Sequence, residues 1–367
     1  MSTPRAHVVF SGGGTGGHVY PALAIAQRLE LMGRSCAYIG TPAGMEAGIV
    51  ARTGVPYFGV EVSPLKGRSP IAAMLSLGTA AKAVAEARGL LRQLGARVVV
   101  CSGGYVAGPV GAAAVSLGLP LLLVEPNAVM GLTNRWLARM AQGVVTPFDG
   151  VPPGVSQSKR LNLGVPIRPG FEAVLRSTHP PRRNELQVLV LGGSQGAHFL
   201  NECIPQAVAI VGESARAWRV VHQTGVRDVE ATLEAYARAG IQADVRVYID
   251  DVPHALQSAD LVIARSGAGT VAEVCAVGRA AIFVPLPSAA DDHQTANAKH
   301  VAARGAAVVL AQSDAGPEAM SKLLIRLLGD DATLDTMAQA AASLGRPDAA
   351  GLVARKIDEL LGLVVAI

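Results

Sequence analysis

Ser11-Gly-Gly-Gly-Thr-Gly-Gly-His18 crowds five glycines, two hydroxyls and an imidazole into one turn. Gly12, Gly14 and Gly17 fit GxGxxG, between an apolar stretch at His7–Ser11 and a helical one at Tyr20–Leu31. Such a loop brings backbone N–H groups close to a phosphate at a helix N-terminus. The competing reading is a tight strand-to-helix turn. A dinucleotide site also needs a carboxylate after the second strand to hold a ribose. That strand, Ser35–Ile39, runs into Gly40-Thr41, so a phosphate loop survives and NAD binding weakens. His18 opens the helix beside the loop. A neutral imidazole there can accept a proton, which makes it the candidate general base. Glu125 is the next candidate.

Five further clusters carry groups that suit phosphate or sugar hydroxyls. Gly103-Gly104-Tyr105 follows a strand and could grip a pyrophosphate through its N–H groups, or serve close packing. Glu125-Pro126-Asn127 ends another strand, and Asn127 can hydrogen-bond a sugar or form a turn. In Gly192-Gly193-Ser194-Gln195-Gly196-Ala197, Ser194 can donate to a phosphate or cap a helix. Arg265-Ser-Gly-Ala-Gly-Thr-Val-Ala-Glu273 is the most specific: small residues precede a helix, so its N-terminus is open to an anion. Glu273, near the first turn, would accept from two ribose hydroxyls. Asp291-Asp292-His293-Gln294 imitates a metal cluster, but it begins a helix, where acidic residues are ordinary. Gln294 and Asn297 share a face at i, i+3, and neutral amides suit sugar hydroxyls. No metal site is expected.

The elements that must hold these loops alternate between strand and helix. Strands are expected at His7–Ser11, Ser35–Ile39, Val98–Ser102 and Leu121–Glu125. They recur at Gln187–Leu191, Trp218–His222, Val245–Tyr248, Leu261–Ala264 and Ala280–Val284. That alternation implies α/β architecture with doubly wound parallel sheets. Residues 150–170 are rich in Pro and Gly and read as a linker. HVVFSGGGTGGHVYPALAIA and QVLVLGGSQGAHFLNECIPQ look like a weak duplication, one opening each half. We therefore expect two domains, 1–166 and 167–345, with a final helix at about 346–367 packing back on the first.

Composition narrows the class. The 367 residues exceed one ordinary domain, and 50% are hydrophobic. Aromatics at 4% exclude a base-stacking nucleic-acid surface, so no nucleic-acid partner is expected. Val98–Val124 lacks any charge, but glycines and prolines punctuate it, so it reads as buried strand and helix rather than a membrane span. The four cysteines form no CxxC and read as buried thiols of a reducing compartment. The region up to Pro166 holds 14 basic and 6 acidic residues, and the remainder 18 and 22. A net of +8 against −4 suits a first half that meets an anionic partner. Ser63–Leu94, with Lys66, Arg68, Lys82, Arg88 and Arg92 beside Ile71, Met74, Leu75 and Leu77, is the expected membrane contact.

The motifs GGTGGH at Gly13–His18, GGY at Gly103–Tyr105, GLTNRWLA at Gly131–Ala138 and GGSQGA at Gly192–Ala197 occur together. IDDV at Ile249–Val252, RSGAGTVAE at Arg265–Glu273 and DDHQTANA at Asp291–Ala298 complete the set. In this combination the chain resembles the MurG family of bacterial glycosyltransferases along nearly its whole length. The resemblance implies two Rossmann-like domains facing a cleft, the GT-B architecture. It implies inverting transfer of N-acetylglucosamine from UDP-GlcNAc to the lipid-linked acceptor lipid I, giving lipid II. Thr15, Gly16, Gly17, Asn127, Arg168, Ser194, Ile249, Gln294 and the loop Ala268–Glu273 would contact the donor. Gly13, Gly14, Gly103, Gly104 and Tyr105 would take the acceptor's pyrophosphate.

No cofactor is required, with room for an auxiliary magnesium. The expected location is peripheral, on an anionic membrane surface at the cytoplasmic side of the inner membrane, beside other cell-wall synthesis and division proteins. Two positions depart from the family pattern, Pro126 for Gln and Val165 for Asn. The rivals are a UDP-GlcNAc 2-epimerase, an NAD-dependent oxidoreductase and a non-catalytic sugar-nucleotide sensor.

Overall fold

The computed structural model describes residues 5–62, 70–148, 155–171, 174, 186–193 and 196–365. Two compact units make up the chain: Met1–Arg168 with Asp348–Ile367, and Pro169–Pro347.

The first unit begins β1 (Val8–Gly12), α1 (Gly16–Leu31), β2 (Cys36–Gly40), α2 (Met45–Val50), β3 (Tyr57–Gly59) and α3 (Pro70–Leu94). It continues β4 (Val98–Gly103), α4 (Ala107–Ser116), β5 (Leu121–Val124), α5 (Leu132–Leu137), β6 (Gly143–Val145) and β7 (Arg160–Leu161). Among the described residues these strands form one parallel sheet, ordered β3-β2-β1-β4-β5-β6-β7. β1, β2, β4 and β5 are buried at every position, because helices cover both faces and leave no solvent side. Val9, Ile39, Val99 and Leu123 pack with Ala87, Leu91 and Val110 of α3 and α4. Val8, Phe10, Tyr38 and Val100 face the other way, onto Val19, Ile25 and Leu29 of α1.

The second unit runs β8 (Leu186–Leu191), α6 (His198–Val211), β9 (Trp218–Gln223), α7 (Val229–Arg238), β10 (Ala243–Arg246) and α8 (Val252–Ser258). It continues β11 (Leu261–Ala264), α9 (Ala268–Val277), β12 (Ala280–Phe283), α10 (His293–Ala302), β13 (Ala307–Val309), α11 (Pro317–Leu328) and α12 (Asp331–Leu344). Its sheet is parallel and ordered β10-β9-β8-β11-β12-β13. One core joins Val188, Val190, Leu261, Ile263 and Ile282 to Leu200, Ile204, Leu324 and Met337.

The last helix, α13 (Ala349–Val365), belongs to the first unit. Its Val353, Ala354, Ile357 and Leu361 share the core of α1. Arg34 Nε bonds Asp358 at 2.6 Å, and Arg97 donates to the Leu361 carbonyl at 2.9 Å.

Two expectations need correction. The span 150–170 is not linker throughout, since Arg160 and Leu161 pair with Val144 and Val145 as the edge strand. The strand expected at Val245–Tyr248 lies at Ala243–Arg246, where its register against Val220–Gln223 places it.

Candidate active site

In each sheet the strand order reverses beside the first strand of the unit: between β1 and β4, and between β8 and β11. Connections leave such neighbours toward opposite faces, which opens a crevice at their carboxyl ends. The glycine loops sit at these two points.

In the first unit the two loops lock together. The Gly13 N–H donates to the Gly103 carbonyl at 3.2 Å, and the buried Tyr38 hydroxyl donates to the Gly12 carbonyl at 2.9 Å. Gly103 and Gly104 have φ of 104° and 85°, conformations that L side chains rarely adopt. A Cβ on Gly103 would stand 3.1 Å from His18 Nε2 and 3.6 Å from Asn134 Nδ2. One on Gly104 would strike the Gly13 carbonyl. The paired glycines therefore serve close approach of the loops, and they gather His18 and Asn134 at one point.

His18 Nδ1 lies 2.9 Å from the Gly13 carbonyl and 3.4 Å from Thr15 Oγ1. A carbonyl can only accept, so Nδ1 carries the hydrogen and Nε2 keeps the lone pair. That is the tautomer a base needs.

Three assignments change here. The N–H groups of Gly13 and Gly14 are turned to partners within the protein and not to a bound pyrophosphate: the first is held by Gly103, and the second lies 3.5 Å from Glu46 Oε2. Gly104 and Tyr105, the latter 57% exposed, remain for a pyrophosphate. Glu125 is buried and saturated. It accepts from Asn127 N at 3.0 Å, Asn127 Nδ2 at 3.2 Å, Gly131 N at 3.1 Å and Asn134 Nδ2 at 3.0 Å. A carboxylate so engaged shapes the loop 125–131 and is a poor reserve base. Asn127 spends its amide on this carboxylate. Thr15, Gly16 and Gly17 stand at the start of α1, with Thr15 as N-cap but making no side-chain cap bond. Arg168 closes the unit with its guanidinium 5.8 Å from the Tyr20 ring centroid.

In the second unit, Ser194 lies outside the described residues. Around it, Gln223 donates to the Gly193 carbonyl at 2.8 Å and accepts the Ile249 N–H at 3.0 Å. Ile249 is buried, and its N–H is spent on Gln223. The loop before α9 is held from beneath: Ser266 Oγ donates to the Gln294 carbonyl at 2.9 Å, and Asn297 Nδ2 to the Ser266 carbonyl at 3.2 Å. Asn297 is fully buried and so positions the loop instead of meeting a sugar. Gln294 Oε1 accepts from Leu286 N at 3.0 Å, which aims its amide.

Arg265 donates to the carbonyls of Val284 and Pro285 and to Gln312, and burial pulls its pKa down; it is a brace. Gly267 caps α9 in extended conformation, leaving Ala268, Gly269 and Thr270 as the first turn, with Val271 and Ala272 following. Glu273 lies in the second turn, not the first, and is buried. Side chains lean toward the helix N-terminus, which keeps it within reach of a ligand there.

Sequence reasoning missed Glu46, Tyr38, Gln223 and Asn134 as site-shaping groups. Only Asn134 fell inside a motif, GLTNRWLA. Among the described residues no group of three or more His, Cys, Asp or Glu could hold a metal ion. The four cysteines are free and buried, and burial pushes the Cys36, Cys101 and Cys275 thiols up to about 12.

Comparison with known proteins adds to this geometry. The model for the glycosyltransferase family 28 N-terminal domain matches residues 8–146, and that for its C-terminal domain matches 187–353. A Burkholderia thailandensis protein is 42% identical, with 98% of each chain covered. It is named UDP-N-acetylglucosamine--N-acetylmuramyl-(pentapeptide) pyrophosphoryl-undecaprenol N-acetylglucosamine transferase. The crystal structure of Acinetobacter baumannii MurG superposes with a TM-score of 0.80 at 37% identity, covering 97% of this chain and 100% of that one. A UDP-GlcNAc 2-epimerase from Neisseria meningitidis reaches a TM-score of 0.68 over 96% of this chain and 99% of its own, but only 10% identity, a likeness of fold alone.

Proposed function

The chain belongs to glycosyltransferase family 28, and from that premise we propose that it moves N-acetylglucosamine from UDP-GlcNAc to lipid I. The acceptor is the C4 hydroxyl of the N-acetylmuramoyl sugar in undecaprenyl-pyrophosphoryl-MurNAc-pentapeptide. The product is lipid II, with a β-1,4 linkage, for peptidoglycan synthesis. The two parallel-sheet units are those of the GT-B glycosyltransferases.

The observation that carries the reading is the 2.9 Å contact of His18 Nδ1 with the Gly13 carbonyl at the β1/β4 switch point, with Nε2 beside Gly103. The donor is α-linked and the product β-linked, so one inverting displacement suffices. Nε2 takes the C4 hydroxyl proton as that oxygen attacks the anomeric carbon. The bond to the β-phosphate breaks, and its electron pair leaves on UDP. The open start of α9 and Arg168 stabilise the charge that develops there. Glu273 holds the ribose, and the Gln294 amide meets the transferred sugar. Thr15, Gly16 and Gly17 line the donor side, and Gly104 with Tyr105 takes the acceptor's pyrophosphate. No cofactor is required, with magnesium at most auxiliary.

UDP release with and without a lipid I analogue tests this directly. Acceptor-dependent UDP release is expected. Epimerised donor without acceptor would point to the 2-epimerase, and binding without turnover to a sensor.

Attachment to the membrane is peripheral in this reading, on the cytoplasmic face. Among the described residues no helix is long and apolar enough to cross a bilayer. Of the stretch Ser63–Leu94, residues 63–69 and the side chains as far as 77 lie outside the described residues, and Arg88 is bound to Ser116. A second surface supports the same partner. Leu132, Trp136 and Met140 are 61%, 71% and 47% exposed at i, i+4 and i+8, beside the exposed Arg135 and Arg139. Apolar groups flanked by cations suit an anionic lipid surface.

A further inference from the structure

We propose that Glu46, the Gly13–Gly14 peptide and His18 form one line, in which the carboxylate orients and polarises the peptide that holds the base. The proposal rests on the reading of His18 as base.

The geometry is specific. The His18 ring is held through the Gly13 carbonyl, at 2.9 Å from Nδ1. The N–H of Gly14 lies 3.5 Å from Glu46 Oε2. That carbonyl and that N–H are the two ends of a single trans peptide unit, so they point in opposite directions. Glu46 stands behind the peptide and His18 in front of it.

The site is built around the carboxylate. Glu46 is 1% exposed, and its other oxygen accepts from Thr41 N at 2.9 Å and Thr41 Oγ1 at 2.6 Å. Burial favours the neutral acid, but the Thr41 and Gly14 hydrogen bonds outweigh it and hold the pKa below the usual carboxylate value. The group is therefore an anion at neutral pH. A Cβ at Gly13 would come within 2.8 Å of its Oε1, one at Gly40 within 2.8 Å of its Cγ, and one at Gly44 closer still. Three glycines give way to one side chain.

A carboxylate accepting from an amide N–H draws electron density toward that amide's carbonyl oxygen. The oxygen becomes a better acceptor for Nδ1–H, as in any chain of hydrogen bonds that polarise one another. The imidazolium formed when Nε2 takes the acceptor's proton is stabilised by the same line. The proton stays on His18. Glu46 is a positioning residue that never touches the sugar, comparable to the carboxylate behind the histidine of a hydrolase triad but with one peptide interposed.

Glu46→Gln tests the line in the full-length protein, because its amide would oppose donor to donor against Gly14. The expected loss in kcat is roughly tenfold to a hundredfold, part of the ~10²–10⁴-fold that general-base catalysis contributes. The donor KM should move less than about twofold, and Glu46→Asp should recover part of the loss by keeping the charge. In a His18→Ala background, Glu46→Gln should cost less than about twofold further, since the two act as a unit. Independently of turnover, the His18 Nδ1–H proton resonance, identified by its loss in His18→Ala, should move upfield in Glu46→Gln.

Multiplicative losses in the double variant, or an unmoved resonance, would overturn the proposal. Should Glu46→Gln not fold, Thr41→Val loosens the carboxylate more gently and is read by the same resonance and cycle. If His18→Ala itself keeps normal kcat, the base assignment has failed instead, which is a separate result.

Discussion

His18 can act only through Nε2, because its other nitrogen is tied to the Gly13 carbonyl. His18→Ala and His18→Gln should both lower kcat by about 10²–10⁴-fold while donor KM changes little. Near-normal turnover in His18→Gln, which keeps a donor but is no useful base, would make the histidine a mere hydrogen-bond donor. Glu273 is buried beside an open helix start, so Glu273→Ala should raise the donor KM. Each charged hydrogen bond lost is worth about 1.5–3 kcal/mol at most. Unchanged KM and kcat would remove the ribose role.

A third residue governs acid stability rather than turnover. His222 is fully buried, with Nε2 on Asn201 Oδ1 at 3.1 Å and Nδ1 on the Tyr236 hydroxyl at 3.0 Å. Burial pulls its pKa down to about 3. The unfolded chain, with a histidine pKa of ~6.5, binds this proton first. Stability is thus retained above pH ~6.5 and lost as pH falls toward 3, at up to about 1.4 kcal/mol per unit. Urea unfolding at pH 7, 6 and 5 should show the slope, and His222→Gln should flatten it.

Motif residues such as His18 were legible because their spacing is local. Glu46 was not, since the peptide it meets is 32 residues away and only the sheet brings them together.

Among the elements, strands buried on both faces were readable as apolar runs, and their loops followed. The three-residue strands β3, β6 and β13 are too short to show any alternation. The edge strand β7, two residues inside a Pro- and Gly-rich stretch, exists only because β6 offers it a partner. α5 is the element whose role the motif concealed. GLTNRWLA buries Asn134 toward the site and Leu137 in the core, and turns Leu132 and Trp136 outward. If that outer face meets lipid, Trp136→Ala and the Arg135→Glu/Arg139→Glu double variant should each reduce co-sedimentation with anionic vesicles. Each cation near the surface contributes about 1 kcal/mol. Equal binding to neutral and anionic vesicles would reject the role.

At the level of the whole molecule, two restarts of the same strand–loop–helix pattern announced two units, and the doubled switch point explains why the motifs fall in two groups. The return of α13 to the first unit rests on long-range packing. Val353, Ile357 and Leu361 each contribute roughly 1.5–3 kcal/mol of burial. Together they rival the ~5–15 kcal/mol that holds an ordinary domain folded. A chain ending at Pro347 should therefore lose the cooperative unfolding of its first unit while the second keeps its own. Two intact transitions would show that α13 is dispensable.

The same return has a consequence for how the protein is made. The second unit is one uninterrupted segment, Pro169–Pro347, whereas the first is assembled from both ends of the chain. A ribosome delivers residues in order, and domains generally fold as units once their residues are available. The first unit emerges early yet lacks a side of its core until α13 appears. The second unit is complete before that. The order of maturation thus runs against the order of synthesis, and the half bearing His18 waits, with apolar surface uncovered, for the last helix of the chain.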